Sequence, residues 1–338
     1  MSDDQTEAPM GGRVAAMAGF DPRWRDPADY ILGITREIWE DRGIATLHRS
    51  YAPGVTVRTP SGISVGRDRV IAATLSALAE FPDRVLLGED VIWCAAPGGG
   101  FLSSHRLLST ATHSGDGMFG AATGARLVYR IVADCAARAD QIYDEWLIRD
   151  LGAIVRQMGM EPKRFAAEQI AREGGPERCA RPFTPAQDVD GGYGGAGDAH
   201  PVGQRYGDIV ARIMAADLAA IPAEYDRACQ VELPGGVTGH GHGAADRFWL
   251  GLRAAFPSAR FTVHHRIGRD DPGQAPRAAL RWSLTGTHDG WGSFGPPSGA
   301  AVHVMGIGHA EFGPWGLKRE FVLLDEAAVW KQILCKTG

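Results

Sequence analysis

His113 lies in Thr110-Ala-Thr-His-Ser-Gly-Asp-Gly-Met-Phe-Gly120, and His288 lies in Thr285-Gly-Thr-His-Asp-Gly-Trp-Gly-Ser-Phe-Gly295. An imidazole beside a glycine-rich turn can hydrogen-bond a substrate carbonyl or hold a carboxylate near neutral pH; it can equally tie its own turn together. The two segments agree at seven of eleven positions, at a constant offset of 175. The same offset pairs Phe81-Pro82 with Phe256-Pro257, Arg106 with Arg281, Glu145 with Glu320, Asp150 with Asp325 and Gln157 with Gln332, a register held for about 75 residues. A period of that size is a duplicated small domain rather than a solenoid, and it predicts an internal pseudo-dimer. Arg106 precedes His113 by seven residues, an odd spacing that puts the two on opposite faces of a regular strand, so Arg106 reads as an outward or interface residue.

Other residue types add less. Trp93, Tyr143 and Trp146 sit in strand-like runs and could line an aromatic pocket, although aromatics there also serve as simple core. The second copy carries His240, His242, His264, His265, His303 and His309. Adjacent strand residues such as His264 and His265 point to opposite faces, and no metal-ligand spacing occurs, so no metal is expected. The chain has no P-loop, no dinucleotide turn and no GxSxG elbow, so no cofactor is expected.

Composition narrows the class. At 338 residues, 44% hydrophobic and 22% charged, the chain can bury ordinary cores. A net charge of -5 argues against nucleic acid as a partner, and no apolar run of membrane length occurs. A small-molecule substrate is the expected partner, with homo-oligomerisation left open. Five widely spaced cysteines and an acidic, polar amino terminus predict a reduced cytoplasmic chain.

The elements that would position these residues follow from periodicity. Residues 1–22 have little apolar pattern and read as a flexible arm. Residues 23–160 form a first domain, with helices over 29–41 and 67–80, a short extended pair at 55–65, then strands over 84–94, 101–112, 126–134 and 141–149. Residues 204–338 repeat this order. Between them, residues 161–203 contain Gly191-Gly-Tyr-Gly-Gly-Ala-Gly and read as a flexible linker. Helices followed by a run of strands predict an α+β pattern.

The first copy supplies Thr112-His113, Phe119-Gly120, Thr123-Gly124, Ile142, Glu145-Trp146, Asp150 and Gln157-Met158-Gly159. The second supplies Gly286-Thr287-His288, Phe294-Gly295, Ser298-Gly299, Glu320 and Asp325. In this order the chain resembles, twice over, the SnoaL-like polyketide cyclases, also called ester cyclases, of the NTF2-like superfamily. The resemblance implies two NTF2-like cone domains, each a curved antiparallel sheet with helices and an apolar pocket at its open end, joined as an intrachain pseudo-dimer. It also implies cofactor-independent chemistry in which one aspartate acts as general acid and base. Asp150 occupies that position, assisted by His113, with Trp93, Trp146, Tyr143, His288 and Asp325 as substrate-binding candidates. A carboxyl in an apolar pocket has a raised pKa and can exchange protons with a carbon acid near neutral pH. Asp150 could instead be the N-cap of the helix it precedes. Because Trp146 becomes Phe321 and Gln157-Met-Gly becomes Gln332-Ile-Leu, the first pocket is expected to lie nearer the cyclase pattern. The expected reaction is cyclisation, isomerisation, hydration or hydrolysis of a small or medium carbonyl compound; the alternative is a non-catalytic small-molecule-binding or scaffold protein.

Overall fold

The computed structural model describes residues 15–338. Most of the amino-terminal arm read from the sequence lies outside them; of its remainder, Ala16 and Phe20 are buried, Phe20 packing on Tyr30 and Phe101. The first copy runs α1 (Pro27–Trp39), α2 (Leu47–Ser50), β1 (Tyr51–Thr59), β2 (Gly62–Val65), α3 (Arg67–Glu80), β3 (Val85–Ala95), β4 (Phe101–Thr112), β5 (Arg126–Arg138), β6 (Gln141–Arg149) and α4 (Leu151–Gln157). After α5 (Pro162–Arg172), the second copy repeats the order as α6 (Pro201–Met214), α7 (Ala220–Glu224), β7 (Tyr225–Leu233), β8 (Val237–His240), α8 (His242–Ala255), β9 (Arg260–Arg269), β10 (Arg277–Thr287), β11 (Ala301–Gly313), β12 (Gly316–Leu324) and α9 (Glu326–Thr337).

Each copy builds one six-stranded sheet, ordered β2-β1-β6-β5-β4-β3 and β8-β7-β12-β11-β10-β9. In each sheet four of the five neighbouring pairs are antiparallel, but β1 joins β6, and β7 joins β12, in parallel. The sheets are therefore mixed rather than wholly antiparallel. Parallel neighbours need a long crossover, and here α3 and β3 to β5 supply it. The repeat is visible in the pairing itself: His105 faces Ala133 across β4 and β5, as Leu280 faces Gly308 across β10 and β11.

The helices cover the concave face of each sheet, and the two convex faces meet. Strand alternation assigns the faces: His105 and Leu107 point into the first cone, while Ser104 and Arg106 point at the second domain. The contacts across the interface are reciprocal. Arg106 lies 3.4 Å over the ring of Phe321, and Arg281 lies 3.5 Å over the ring of Trp146, each arginine and each aromatic being the repeat counterpart of the other. Arg281 also meets Asp134 at 3.3 Å, and Arg106 meets His309, the counterpart of Asp134, at 3.3 Å. Such mutual exchange of partners is the signature of a two-fold, isologous contact. Ile92, Leu102 and Ala136 with Ile267 and Ala279 fill the apolar part between these pairs.

The segment 161–203 differs from its reading as a flexible linker. Helix α5 buries Phe165 and Ala166, and the stretch after it is held by side chains rather than by periodicity. Arg58, itself buried, pairs with Asp144 and with Asp188 of the segment. Tyr193 donates its amide to Asp144, and its hydroxyl lies 2.7 Å from His265 in the second copy. The glycine-rich run thus wraps the domain interface. Nearby, the thiols of Cys179 and Cys335 lie 3.3 Å apart.

Asp134 and Arg281 are both buried, so losing one partner strands the other charge. Asp134→Ala is expected to destabilise the fold by about 3–5 kcal/mol in urea unfolding, and adding Arg281→Met should recover most of that loss. A double variant no more stable than Asp134→Ala would show that the pair does not hold the domains together.

Candidate active site

The first cone is hollow. Its helices and concave sheet face enclose a cavity of about 290 Å³, walled by Ile31, Ile34 and Ile38 from α1, Val70, Ala73 and Thr74 from α3, and Leu107, Ile131 and Leu147 from the sheet. A bulge in β6, where the pairing slips between Ile142 and Asp144, restarts the alternation. From there Glu145, Leu147 and Arg149 face inward, while Asp144 and Trp146 face the second domain.

Among the described residues, Glu145 is the only carboxylic acid bordering this cavity. Burial pushes its carboxyl up to about 7, against a hydrogen bond from Tyr51 that favours the ionised form. His105 is fully enclosed, and burial pushes it down to about 4, so its imidazole is neutral at physiological pH. Three guanidiniums also border the space: Arg84, Arg149 and the exposed Arg69. Arg84 is buried, lies 4.4 Å over Trp39, and is lowered to about 10 by burial and by the like charge of Arg149. The Nε atoms of Arg84 and Arg149 are both buried without a hydrogen-bond partner.

The second cone is filled at the matching positions. Thr74 becomes Trp249, Leu107 becomes Trp282 and Ile31 becomes Tyr206, all three fully buried. Trp282 lies where a Cβ on Gly306 would come within 2.2 Å of the ring, and the Tyr206 hydroxyl crowds Gly308 in the same way. Glu320, the counterpart of Glu145, is locked by Tyr206 at 3.0 Å, Tyr225 at 2.9 Å and Trp249 at 3.2 Å. The arginines and the histidine of the first cavity are gone: Arg69 becomes Ala244, Arg84 becomes Ala259, His105 becomes Leu280 and Arg149 becomes Leu324.

The residues singled out from the sequence lie elsewhere. Asp150 is buried, but at the end of β6 outside the cavity, where it caps α4 by accepting the amide of Ala153 at 2.9 Å. It also accepts the amides of Gly235 and Gly236 at 2.9–3.0 Å, clasping the β7–β8 turn of the second domain. Both glycines have positive φ, 83° and 71°, which the tight turn requires. Burial pushes Asp150 up to about 6 against the pull of these amides. Its cleft between the domains is lined by charges that already have partners, Arg130 with Glu232 at 2.8 Å and Arg156 with Glu326 at 2.5 Å.

His113 lies fully buried at the glycine-rich turn. Its Nδ1 accepts the amide of Thr123 at 3.2 Å, and its Nε2 stands 3.4 Å from Glu80, which itself holds the amide of Phe119. His288 is held the same way, with Nδ1 2.9 Å from Ser298. Asp325 caps α9 through the amides of Ala327 and Ala328, and burial raises it to about 7. Trp93 lies under Arg269, Tyr143 under Arg138, and Trp146 between Arg58 and Arg281 at the interface. None of these seven residues borders the cavity. The aromatic candidates miss it because the residues that face inward on β6 are the ones flanking Trp146. Among the described residues, no group of three His, Cys, Asp or Glu could hold a metal ion, and no helix is long and apolar enough to cross a membrane.

Residues 206–317 match the SnoaL-like domain family. The second copy is a SnoaL-like domain. The first copy shares its strand order and repeat register, so the chain is a tandem of two related cones. Among solved structures it is similar to IdmH from Streptomyces antibioticus, at 22% identity over 40% of this chain and 99% of that one, with a TM-score of 0.35. It is similar also to a SnoaL-like polyketide cyclase from Agrobacterium tumefaciens, at 17% identity over 40% and 98% with a TM-score of 0.32, and to TsrD from Streptomyces laurentii, at 15% over 41% and 98% with a TM-score of 0.36. No curated protein sequence matches the chain.

The buried carboxyls of this tandem give a pH signature. Glu145 keeps its proton up to about pH 7 in the folded chain, whereas its ordinary value is 4.5. Between those values the folded state binds more protons than the unfolded state, so stability falls as pH rises through the window. Glu145→Gln is expected to flatten that fall by about 3 kcal/mol between pH 4.5 and 7.5 in urea unfolding. An unchanged slope would mean that Glu145 titrates as an ordinary glutamate.

Proposed function

We propose that the chain is a cofactor-independent acid–base enzyme acting on a small carbonyl compound in the cavity of the first cone, with Glu145 as the proton-transferring group. The observation that carries this reading is the isolation of Glu145: one carboxyl at the wall of a largely apolar cavity, with a pKa near 7. At that value it is close to half ionised at neutral pH, which suits it to take a proton from a carbon beside a carbonyl and return it elsewhere. Tyr51 supplies a hydroxyl to the same carboxyl, and neutral His105 offers a ring N–H or lone pair to a substrate oxygen. Membership of a SnoaL-like fold supports a small-molecule reaction of this kind, though fold alone does not fix the chemistry.

Asp150 is assigned a holding role in this reading, because its two oxygens already accept amides from both domains. The second domain serves as the rigid half of the pseudo-dimer, and its filled interior leaves Glu320 no substrate to meet. Enolisation by Glu145 is common to cyclisation and isomerisation, so it can be tested before the natural substrate is known.

Deuterium exchange at the α-carbon of a panel of β-keto esters and aryl ketones, followed by proton NMR in D2O, tests this reading. Wild type should accelerate exchange of at least one compound with an inflection near pH 7. Glu145→Gln should lose about 100-fold or more, while Asp150→Asn retains the rate to within a few-fold. Exchange by Glu145→Gln at the wild-type rate would remove Glu145 from the chemistry, and absence of exchange across the panel would favour a binding protein.

A further inference from the structure

Of the three guanidiniums that border the cavity, Arg84 and Arg149 have no ion-pair partner among the described residues, and this requires an explanation that the acid–base reading does not give. Arg84 and Arg149 both border the cavity, and both have a buried Nε without a partner. No carboxylate acts on Arg84; the neighbouring charge that it feels most is Arg149, which repels it. Glu145 does not neutralise them either, since burial, Tyr51 and Asp144 are what set its protonation. Elsewhere the chain pairs its buried arginines: Arg58 with Asp144, Arg106 with Glu89, Arg281 with Asp134 and Arg277 with Asp90. A buried guanidinium left uncompensated, as Arg84 is, is costly, and the half-buried Arg149 facing the same space adds like-charge repulsion. The second copy, whose cone is filled, replaces them by Ala259 and Leu324. The cations therefore go with the empty space rather than with the fold.

We propose that the first cavity takes an organic carboxylate, its head gripped by Arg84 and Arg149 and its apolar body lying against Leu107, Ile131 and Leu147 toward Glu145. This rests on the reading of that cavity as the substrate site. The planar guanidinium fork matches a carboxylate in two parallel hydrogen bonds, and Trp39 under Arg84 keeps that fork oriented. Glu145 and Arg149 lie four residues apart on one strand with the same facing, so their Cα atoms are roughly 13 Å apart. The ligand's charged head and reacting carbon are thus separated by a ring or a short chain.

Calorimetric titration and thermal unfolding with phenylacetate and hexanoate, their neutral amides, and inorganic phosphate test the assignment. Saturable binding of the carboxylates, at least tenfold weaker for the amides and for phosphate, is the expected result. Arg84→Met and Arg149→Met should each weaken carboxylate binding tenfold or more, and Arg84→Met should raise the ligand-free unfolding midpoint, because it removes an uncompensated charge. An arginine kept for packing on Trp39 would lower that midpoint instead. Amides that bind as well as the acids, phosphate that binds as tightly, or arginine variants that bind unchanged would overturn the proposal. If carboxylate binding depends on the arginines while Glu145→Gln still exchanges deuterium, the acid–base reading fails alone; if exchange needs Glu145 but binding ignores both arginines, this proposal fails alone.

Discussion

The reciprocal stacking of Arg106 on Phe321 and Arg281 on Trp146 is the contact on which the rest of the molecule depends. It covers the convex face of each sheet with the other domain, so each sheet is buried on both sides. The strands at the interface then have one set of side chains committed to the other domain and the alternate set committed to their own cone. The interface set is fixed by mutual fit and by ion pairs such as Asp134 with Arg281. The cone set is free to differ between the copies, and there it does.

That freedom has been used in opposite directions. In the second cone, Trp249, Trp282 and Tyr206 take up the interior and turn Glu320 into a fully hydrogen-bonded core residue. In the first, smaller residues leave a hollow beside the matching Glu145, whose carboxyl is hydrogen-bonded by Tyr51. The same carboxyl is structural in one copy and available in the other. Its environment decides the role, through the volume of the neighbours rather than through its own position. The SnoaL-like match to residues 206–317 thus marks the copy whose sequence keeps the family pattern, while the open cavity belongs to the other.

Much of the architecture was legible in the sequence because it rests on periodicity and repetition. The 175-residue offset survives as identical strand pairing, and the odd spacing of Arg106 and His113 correctly put Arg106 on the interface. The site was less legible. Asp150 stands before a helix, and a carboxylate there has amide partners available at once, in this case also from Gly235 and Gly236 across the interface. No local pattern announces that second set. His113 repeats in both copies because the turn it ties repeats. Trp146 drew attention by its type, yet the β6 bulge sets the inward facing of Glu145, and a bulge leaves little trace in sequence. One signal was present: reading the offset for differences rather than identities exposes Arg84 against Ala259, His105 against Leu280 and Arg149 against Leu324. Identities in a duplicated chain mark the shared fold, whereas charges lost from one copy mark where the copies have parted in use.

The central claim is that empty volume in the first cone, not the shared fold, carries the activity. Thr74→Trp tests it most directly, because it installs in the first copy the residue that fills the second. The deciding measurement is the deuterium-exchange rate of this variant relative to wild type, with its unfolding midpoint recorded alongside. The account predicts a folded protein, no less stable than wild type, that has lost exchange. A folded Thr74→Trp protein that exchanges at the wild-type rate would contradict it.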